Sequence, residues 1–147
     1  MAEKRRQKIT VVHKANVFRL SDGLFLESVR AIRDEFSHIE YDEQIVDAMA
    51  ALLIRDPSQF DVILTTNMFG DILSDEASEI AGSLGMAASI NSGKNFAMAQ
   101  AQHGSAPDIA GKDLANPSSL IGSAAMLLRW FGQRNNEMKF FDAADAI

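Results

Sequence analysis

The sequence predicts an α/β fold with at least part of its sheet parallel, and three observations carry that expectation. Short β-branched runs alternate with stretches of helical apolar spacing, the pattern of strand–helix–strand units. Proline and glycine fall between those runs and punctuate them. The chain of 147 residues is 47% hydrophobic and 23% charged, a balance that can bury a sizeable core.

Each element follows from its residues. Ile9-Thr-Val-Val-His13 is short and β-branched and reads as a strand. A loop with Asp22-Gly23 follows. Phe25, Val29, Ile32 and Phe36 recur at helical spacing, so residues 23–36 read as an amphipathic helix. Residues 38–42 alternate in polarity and read as a strand. Ile45 to Ile54 reads as a helix, stopped at Asp56-Pro57 because proline lacks an N–H and clashes with the preceding turn. Asp61-Val-Ile-Leu-Thr-Thr66 is the strongest strand. Asn67-Met-Phe-Gly70 reads as a short loop before a helix that starts near Asp71, with Gly82 and Gly85 marking its end. Residues 88–95 read as loop and Phe96 to Gln100 as a short strand. Residues 101–117 form a long structured loop, and loops of that length are usually functional. Ser118 is expected to cap a helix through Phe131, and a last helix starts near Asn135.

Composition excludes several functions. There are no cysteines, so a disulfide framework, a thiolate zinc site and a cysteine nucleophile are all ruled out. The net charge is −6 and the pI about 5.0, which repels phosphate backbones and argues against a nucleic-acid partner. The longest apolar stretch, Ala48 to Ile54, falls far short of the ~20 residues that span a bilayer. The basic start (Lys4, Arg5, Arg6, Lys8) leads into a strand and not into an apolar signal segment. No membrane partner is expected, and a cytoplasmic protein is the default expectation.

Four constellations could carry chemistry. Asp71 and Asp75 are four apart on one expected helix, so both carboxylates share a face. They read either as a solvated acidic helix start, favoured by the helix dipole, or as ligands of a hard divalent cation. Their place after a strand and a Gly-containing turn supports the second, because open α/β sheets bind ligands beyond the carboxyl ends of their strands. Asp47 interrupts an apolar run, either as an exposed polar position or as a third metal carboxylate from elsewhere in the fold or from another subunit. Lys14, in His13-Lys-Ala-Asn16, follows a strand directly. It is either solvated or, beside a metal and carboxylates, a proton-transfer group. Asn16 could position it or bind a cofactor amide. The densest signal is His103-Gly-Ser-Ala-Pro-Asp108 with Gly111 and Asn116-Pro117. Its Gly and Pro residues let main-chain N–H groups approach a ligand, and Asp108 could accept the hydroxyls of an adenosine ribose while repelling a 2′-phosphate. It reads equally as a structural loop before a capped helix. His13, His38 and His103 show no metal-ligand spacing, and the phenylalanines sit at core spacings.

Taken together, the pieces resemble the isocitrate/isopropylmalate dehydrogenase family of β-decarboxylating dehydrogenases. The matching stretches are His13-Lys-Ala-Asn-Val17, Val46-Asp-Ala-Met49, Thr66-Asn-Met-Phe-Gly-Asp-Ile-Leu-Ser-Asp75, Gly82-Ser-Leu-Gly85 and His103-Gly-Ser-Ala-Pro-Asp-Ile-Ala-Gly-Lys112 through Ala115-Asn-Pro117. They lie in the family's order, from about residue 5 to residue 131.

The resemblance implies an isopropylmalate dehydrogenase-like α/β fold, present in part. Residues 1–81 would belong to the small dimerisation and metal-site domain and residues 82–147 to the large NAD-binding domain. It implies that Lys14 moves the substrate hydroxyl proton and that Asp71 and Asp75 hold Mg²⁺ or Mn²⁺. Asp47 would be the metal-binding aspartate donated across a homodimer, with a catalytic role beside Lys14. His103, Gly104, Ser105 and Ala106 would wrap the adenosine of the cofactor, with Asn116 near the adenine, Asn16 on a cofactor amide and Gly85 at a hinge. Asp108 and Ile109 stand where NADP-using relatives tend to place lysine and tyrosine, which implies NAD. The implied reaction is oxidation of a malate-like 2-hydroxy diacid followed by loss of its β-carboxylate as CO₂. The Ile72–Ser78 stretch leans toward 3-isopropylmalate, with isocitrate, homoisocitrate and tartrate as the other candidates.

Family members are commonly more than twice this length, and their first half carries the arginines, the tyrosine and the segment that bind substrate. The chain therefore reads as a carboxyl-side portion, inactive alone, with open strand edges that favour association. Tyr41 does not match the family tyrosine and is read as structural. Gln100 and Ala88 depart from common family residues. The alternative is a non-catalytic nucleotide-binding or partner subunit, which would be free to lose Lys14 and the aspartates; all are present here.

Overall fold

A computed structural model of the chain describes residues 2–147. The chain divides into two compact units, Met1–Ala77 and Ser78–Ile147.

The first unit is built on a three-stranded parallel sheet of order β2-β1-β3: β1 is Lys8–His13, β2 Glu40–Ile45 and β3 Val62–Thr65. The register pairs His13 with Ile45 and Val12 with Thr65, so the carboxyl ends of all three strands leave one edge together. β1 lies in the middle, and Thr10, Val11 and Val12 are fully buried. A strand covered on both faces has no polar side to present, which is why Ile-Thr-Val-Val reads as a continuous run.

On the Val12 face, helix α2 (Val46–Arg55) contributes Met49 and Leu53, and helix α3 (Asn67–Ala81) contributes Leu73. With Phe60 and Ile63 they form the core. α2 ends where proline demands it, and Asp56 caps the following turn by accepting from Ser58 N–H. On the other face lies α1 (Ser21–Arg33), which continues as a short 3-10 turn through Phe36. Its buried positions are Asp22 and Leu26, one turn apart. The expected stripe behaves differently: Ile32 is 54% and Phe36 39% exposed. Those two side chains, with Val29, Ile9, Tyr41 and Leu64, line an apolar hollow of about 380 Å³ that no other described residue fills. Arg30 of α1 holds Glu43 of β2 with two bonds of 2.7 and 2.6 Å, and the Tyr41 hydroxyl donates to the same carboxylate at 2.6 Å. Arg30 above all keeps Glu43 down at about 2. Burial, then the bond it donates, pushes Tyr41 up to about 12.

In the second unit an antiparallel hairpin, β4 (Ala88–Ser92) with β5 (Ala97–Ala101), packs on helix α4 (Ser118–Asn135), and α5 (Met138–Asp145) folds back on α4. Gly132 makes that last turn possible, since a Cβ there would sit 3.0–3.1 Å from Phe141, Phe140 and the Glu137 carbonyl.

Several boundaries differ from the sequence reading. α3 starts at Asn67, so Gly70 lies inside the helix and not in a preceding loop. A glycine inside a helix costs only about 1 kcal/mol relative to alanine, which an otherwise good helix absorbs. Residues 88–92 form β4 despite a composition of Ala, Ser, Ile and Asn, because pairing with β5 and contact with α4 override weak propensity. Ser118 is the first helical residue and not the cap; the Asn116 side-chain oxygen accepts its N–H at 3.0 Å. α4 runs four residues past Phe131 to Asn135, and Asn136 closes it in the left-handed region, so the last helix starts only at Met138.

Two outcomes follow. Met49→Ala removes the largest fully buried side chain and is expected to destabilise the protein by about 2–5 kcal/mol in denaturant unfolding. Glu43 has a depressed folded pKa, so its stabilisation is present above its ordinary value of 4.5 and lost as pH falls through about 2. Arg30→Met should therefore flatten the fall in stability measured across that acid window.

Candidate functional site

Lys14 is the first residue beyond β1, and Asp47 is the second residue beyond β2, in the first turn of α2. The parallel register of β1 and β2 brings these neighbouring strand ends together. Lys14 Nζ donates to Asp47 Oδ1 at 2.5 Å, with Lys14 23% and Asp47 69% exposed. The Lys14 ammonium, helped by the Asp47 backbone N–H, holds the Asp47 carboxyl below its ordinary value. Neither separation in sequence nor local pattern links the two residues; the sheet does.

The main chain at Lys14 is tied as well. Its N–H donates to Asp22 Oδ2 at 2.6 Å, and its carbonyl accepts from Val17 and Phe18 N–H at 2.9 and 2.8 Å. Asp22 is 5% exposed. The sequence reading passes over it as a loop acid, because only its partner, eight residues upstream, explains its burial. Asn16 stands exposed on the same turn.

α3 starts just beyond the carboxyl end of β3, the same edge of the sheet from which Lys14 and α2 emerge. Asp71 and Asp75 are exposed on it, one turn apart on one face. The Asp71 carbonyl accepts the Ser74 hydroxyl at 3.1 Å, which leaves its carboxylate out of that bond. Among the described residues no group of three or more His, Asp or Glu side chains is gathered to hold a metal ion. The paired carboxylates nevertheless suit a hard divalent cation, which takes oxygen ligands and keeps waters in its remaining positions. A single chain places two of the three expected aspartates on one face of α3 and pairs the third with Lys14.

In the second unit Gly85 and Asn116 are neighbours: a Cβ on Gly85 would lie 3.3 Å from Asn116 Cβ. Between β5 and α4 runs the exposed loop that holds His103, Gly104, Ser105, Ala106 and Asp108. His103 Nδ1 lies 2.8 Å from the Gly104 carbonyl. Ala106 takes the left-handed conformation (φ 43°, ψ 60°), which costs an L-residue roughly 1–2 kcal/mol. Its carbonyl then accepts from Ile109 N–H to start a 3-10 turn that carries Asp108 outward, and Gly111 (φ 72°) reverses the chain. Strain of this kind in an exposed loop marks a backbone held for a purpose. A main-chain loop that carries the exposed carboxylate of Asp108 fits a nucleoside whose ribose hydroxyls need an acceptor.

Two serines that the sequence reading missed hold this loop's base. Ser119 and Ser123 are fully buried on α4. Ser119 Oγ accepts from Gln102 N–H at 3.2 Å and donates to the Ala87 carbonyl at 2.5 Å. Ser123 Oγ accepts from Ser89 N–H at 2.9 Å, and its proton goes to the carbonyl of Gln100 (2.8 Å) or Ser119 (2.7 Å). Gly122 between them lets Ala88 approach, since a Cβ there would be 3.1 Å from the Ala88 Cβ. The small-residue spacing Ser119, Gly122, Ser123 is the signal that could have shown this face.

Comparison with known proteins decides the family. Residues 1–147 match the family described as isocitrate/isopropylmalate dehydrogenase. The chain belongs to that family. The 3-isopropylmalate dehydrogenase of Sulfurisphaera tokodaii is 48% identical over 146 residues, covering 99% of this chain and 43% of that protein. The homoisocitrate dehydrogenase of Methanocaldococcus jannaschii is 54% identical over 129 residues, 88% of this chain and 37% of that one. The crystal structure of isocitrate dehydrogenase from Methylococcus capsulatus superposes with a TM-score of 0.86 at 48% identity, covering 90% of this chain and 39% of that chain. The chain thus has the α/β architecture of the isocitrate/isopropylmalate dehydrogenases and spans about two fifths of the length of these relatives. Those family members are named as dehydrogenases of hydroxy acids. No helix among the described residues is long and apolar enough to cross a membrane.

Removing the Ser123 hydroxyl leaves the Ser89 N–H without its acceptor. Ser123→Ala is expected to cost about 1–3 kcal/mol of stability, read as a lowered denaturation midpoint.

Proposed function

We propose that this isocitrate/isopropylmalate dehydrogenase family member catalyses NAD-dependent oxidative decarboxylation of a 2-hydroxy diacid, with 3-isopropylmalate favoured over isocitrate, homoisocitrate and tartrate. The observation that carries the reading is the Lys14–Asp47 pair at the carboxyl edge of a parallel sheet, the edge from which α3 with Asp71 and Asp75 also starts. Relatives named for isopropylmalate, homoisocitrate and isocitrate support the reaction class and differ in the diacid they are named for.

In this reading Asp71 and Asp75 hold Mg²⁺ or Mn²⁺, and Asp47 completes the set on the metal of a second copy in a homodimer. The cation supplies Lewis-acid polarisation of the substrate oxygen, and NAD supplies the hydride acceptor. Lys14 Nζ takes the substrate hydroxyl proton, directly or through water. Lys14 acts as the neutral amine in that step, and Asp47 Oδ1 pairs with the ammonium that results. Asn16 orients the cofactor amide. The loop His103–Ala106 wraps the adenosine, Asn116 lies by the adenine against Gly85, and Asp108 takes the ribose hydroxyls. The first unit then serves metal and dimer, the second the nucleotide, and the enzyme works in the cytoplasm.

Three variants of the complete enzyme test this, with NADH formation as the readout. Lys14→Ala is expected to lower kcat by roughly 10²-fold or more. Asp71→Asn should raise the metal concentration needed for half-maximal rate by at least about tenfold. Asp108→Lys should shift preference from NAD toward NADP, since a carboxylate repels the 2′-phosphate and an ammonium attracts it. Near-full activity of Lys14→Ala would end the catalytic assignment. Nucleotide binding with no turnover in the unsubstituted enzyme would favour a non-catalytic subunit.

A further inference from the structure

We propose that Asp22 is a positioning residue, which sets the main-chain path from which Lys14 reaches Asp47. The inference rests on the catalytic reading of Lys14 and adds a residue to it.

A carboxylate that is 5% exposed needs partners, because burying a charge without them is far costlier than leaving it in water. Asp22 has them, and all lie on the Lys14 turn or beside it. Oδ2 accepts Lys14 N–H at 2.6 Å, and Oδ1 lies 3.3 Å from the Ser21 hydroxyl. The Asp22 N–H donates to the Phe18 carbonyl at 3.0 Å, while Phe18 N–H donates to the Lys14 carbonyl at 2.8 Å. The bonds close a loop: Lys14 to Phe18, Phe18 to Asp22, and Asp22 back to Lys14. Both main-chain polar groups of Lys14 are thereby fixed, and only its side chain is left to move.

The Lys14 ammonium goes to Asp47. His13 Nδ1 accepts from Ala15 N–H at 3.1 Å. Asp22 therefore acts on Lys14 through the backbone amide and not as the ion-pair partner of the amine. A bond to an ionised acceptor is about twice as strong as a neutral one, which suits a residue that must hold a strand end still. Displacing a proton-transfer group by about 1 Å can cost on the order of 10²-fold in rate.

The test uses the complete enzyme with two substitutions and two readouts. Asp22→Ala should lower kcat by roughly 10- to 100-fold while the KM for NAD changes less than about twofold. Asp22→Asn keeps an oxygen that accepts Lys14 N–H and should restore most of the rate. Reductive ¹³C-methylation supplies a readout free of activity. The Lys14 methyl resonance, assigned by its loss in Lys14→Arg, should move in Asp22→Ala and return in Asp22→Asn. A folded Asp22→Ala with unchanged kcat and an unmoved resonance overturns the proposal. If Asp22→Ala does not fold, Asp22→Asn decides: a resonance in place and a rate within several-fold supports the proposal, and a loss of rate beyond 10-fold overturns it. A resonance that responds as expected in a protein with no dehydrogenase activity keeps the positioning role and refutes the catalytic reading separately.

Discussion

The parallel pairing of β1 with both of its neighbours is the constraint on which the first unit depends. With β2 on one side and β3 on the other, β1 has no free edge, and its middle residues lose all contact with water. Each face must then be covered, by α2 and α3 on the Val12 side and by α1 on the Val11 side. Because all three strands run the same way, their carboxyl ends align, and whatever follows them is delivered to one edge. Lys14, Asp47 and the start of α3 share that edge by topology alone. The Lys14–Asp47 pair is placed by a sheet that would be needed for stability in any case.

The second unit solves a different problem with different means. A two-stranded hairpin is marginal by itself and needs a helix to lean on. α4 offers a face of serine and glycine, so the hairpin comes close enough for side-chain hydroxyls to reach main-chain groups at the ends of β4 and β5. The result holds the base of the His103 loop through the hydroxyls of two buried serines. Asn116, two residues before the same helix, accepts the Ser118 N–H through its side-chain oxygen and lies beside Gly85.

The strands β1 and β3 were legible because β-branched runs bounded by turn residues have few alternatives, and the stop of α2 was legible because proline leaves none. β4 was not, since Ala-Ser-Ile-Asn-Ser has little strand preference and takes its conformation from β5 and α4. The start of α3 was hidden by Gly70, which looks like a turn residue and sits in a helix. For the candidate site, Asp71 and Asp75 stood out as a pair by spacing, while Lys14 and Asp47 had ordinary surface readings locally and took their expected roles only from the family resemblance. The Lys14–Asp47 bond was not legible, because it joins residues 33 apart through sheet register. Asp22, Ser119 and Ser123 escaped for the same reason: each is polar, local sequence treats it as surface, and only the fold shows that it is buried with a partner.

The order of the strands also sets the order of events when the chain folds. Within β1 and β3, Val12 and Thr65 meet from positions 53 apart in the chain, and the central strand cannot be completed until that length has closed. β4 and β5 are joined by a short turn and can pair at once. Contacts between distant parts of a chain form late, since the entropy of closing the loop is lost before any bond repays it. The half that carries Lys14 is therefore the slower to assemble, and its strand edges stay open to other chains for longer than the β4–β5 hairpin does.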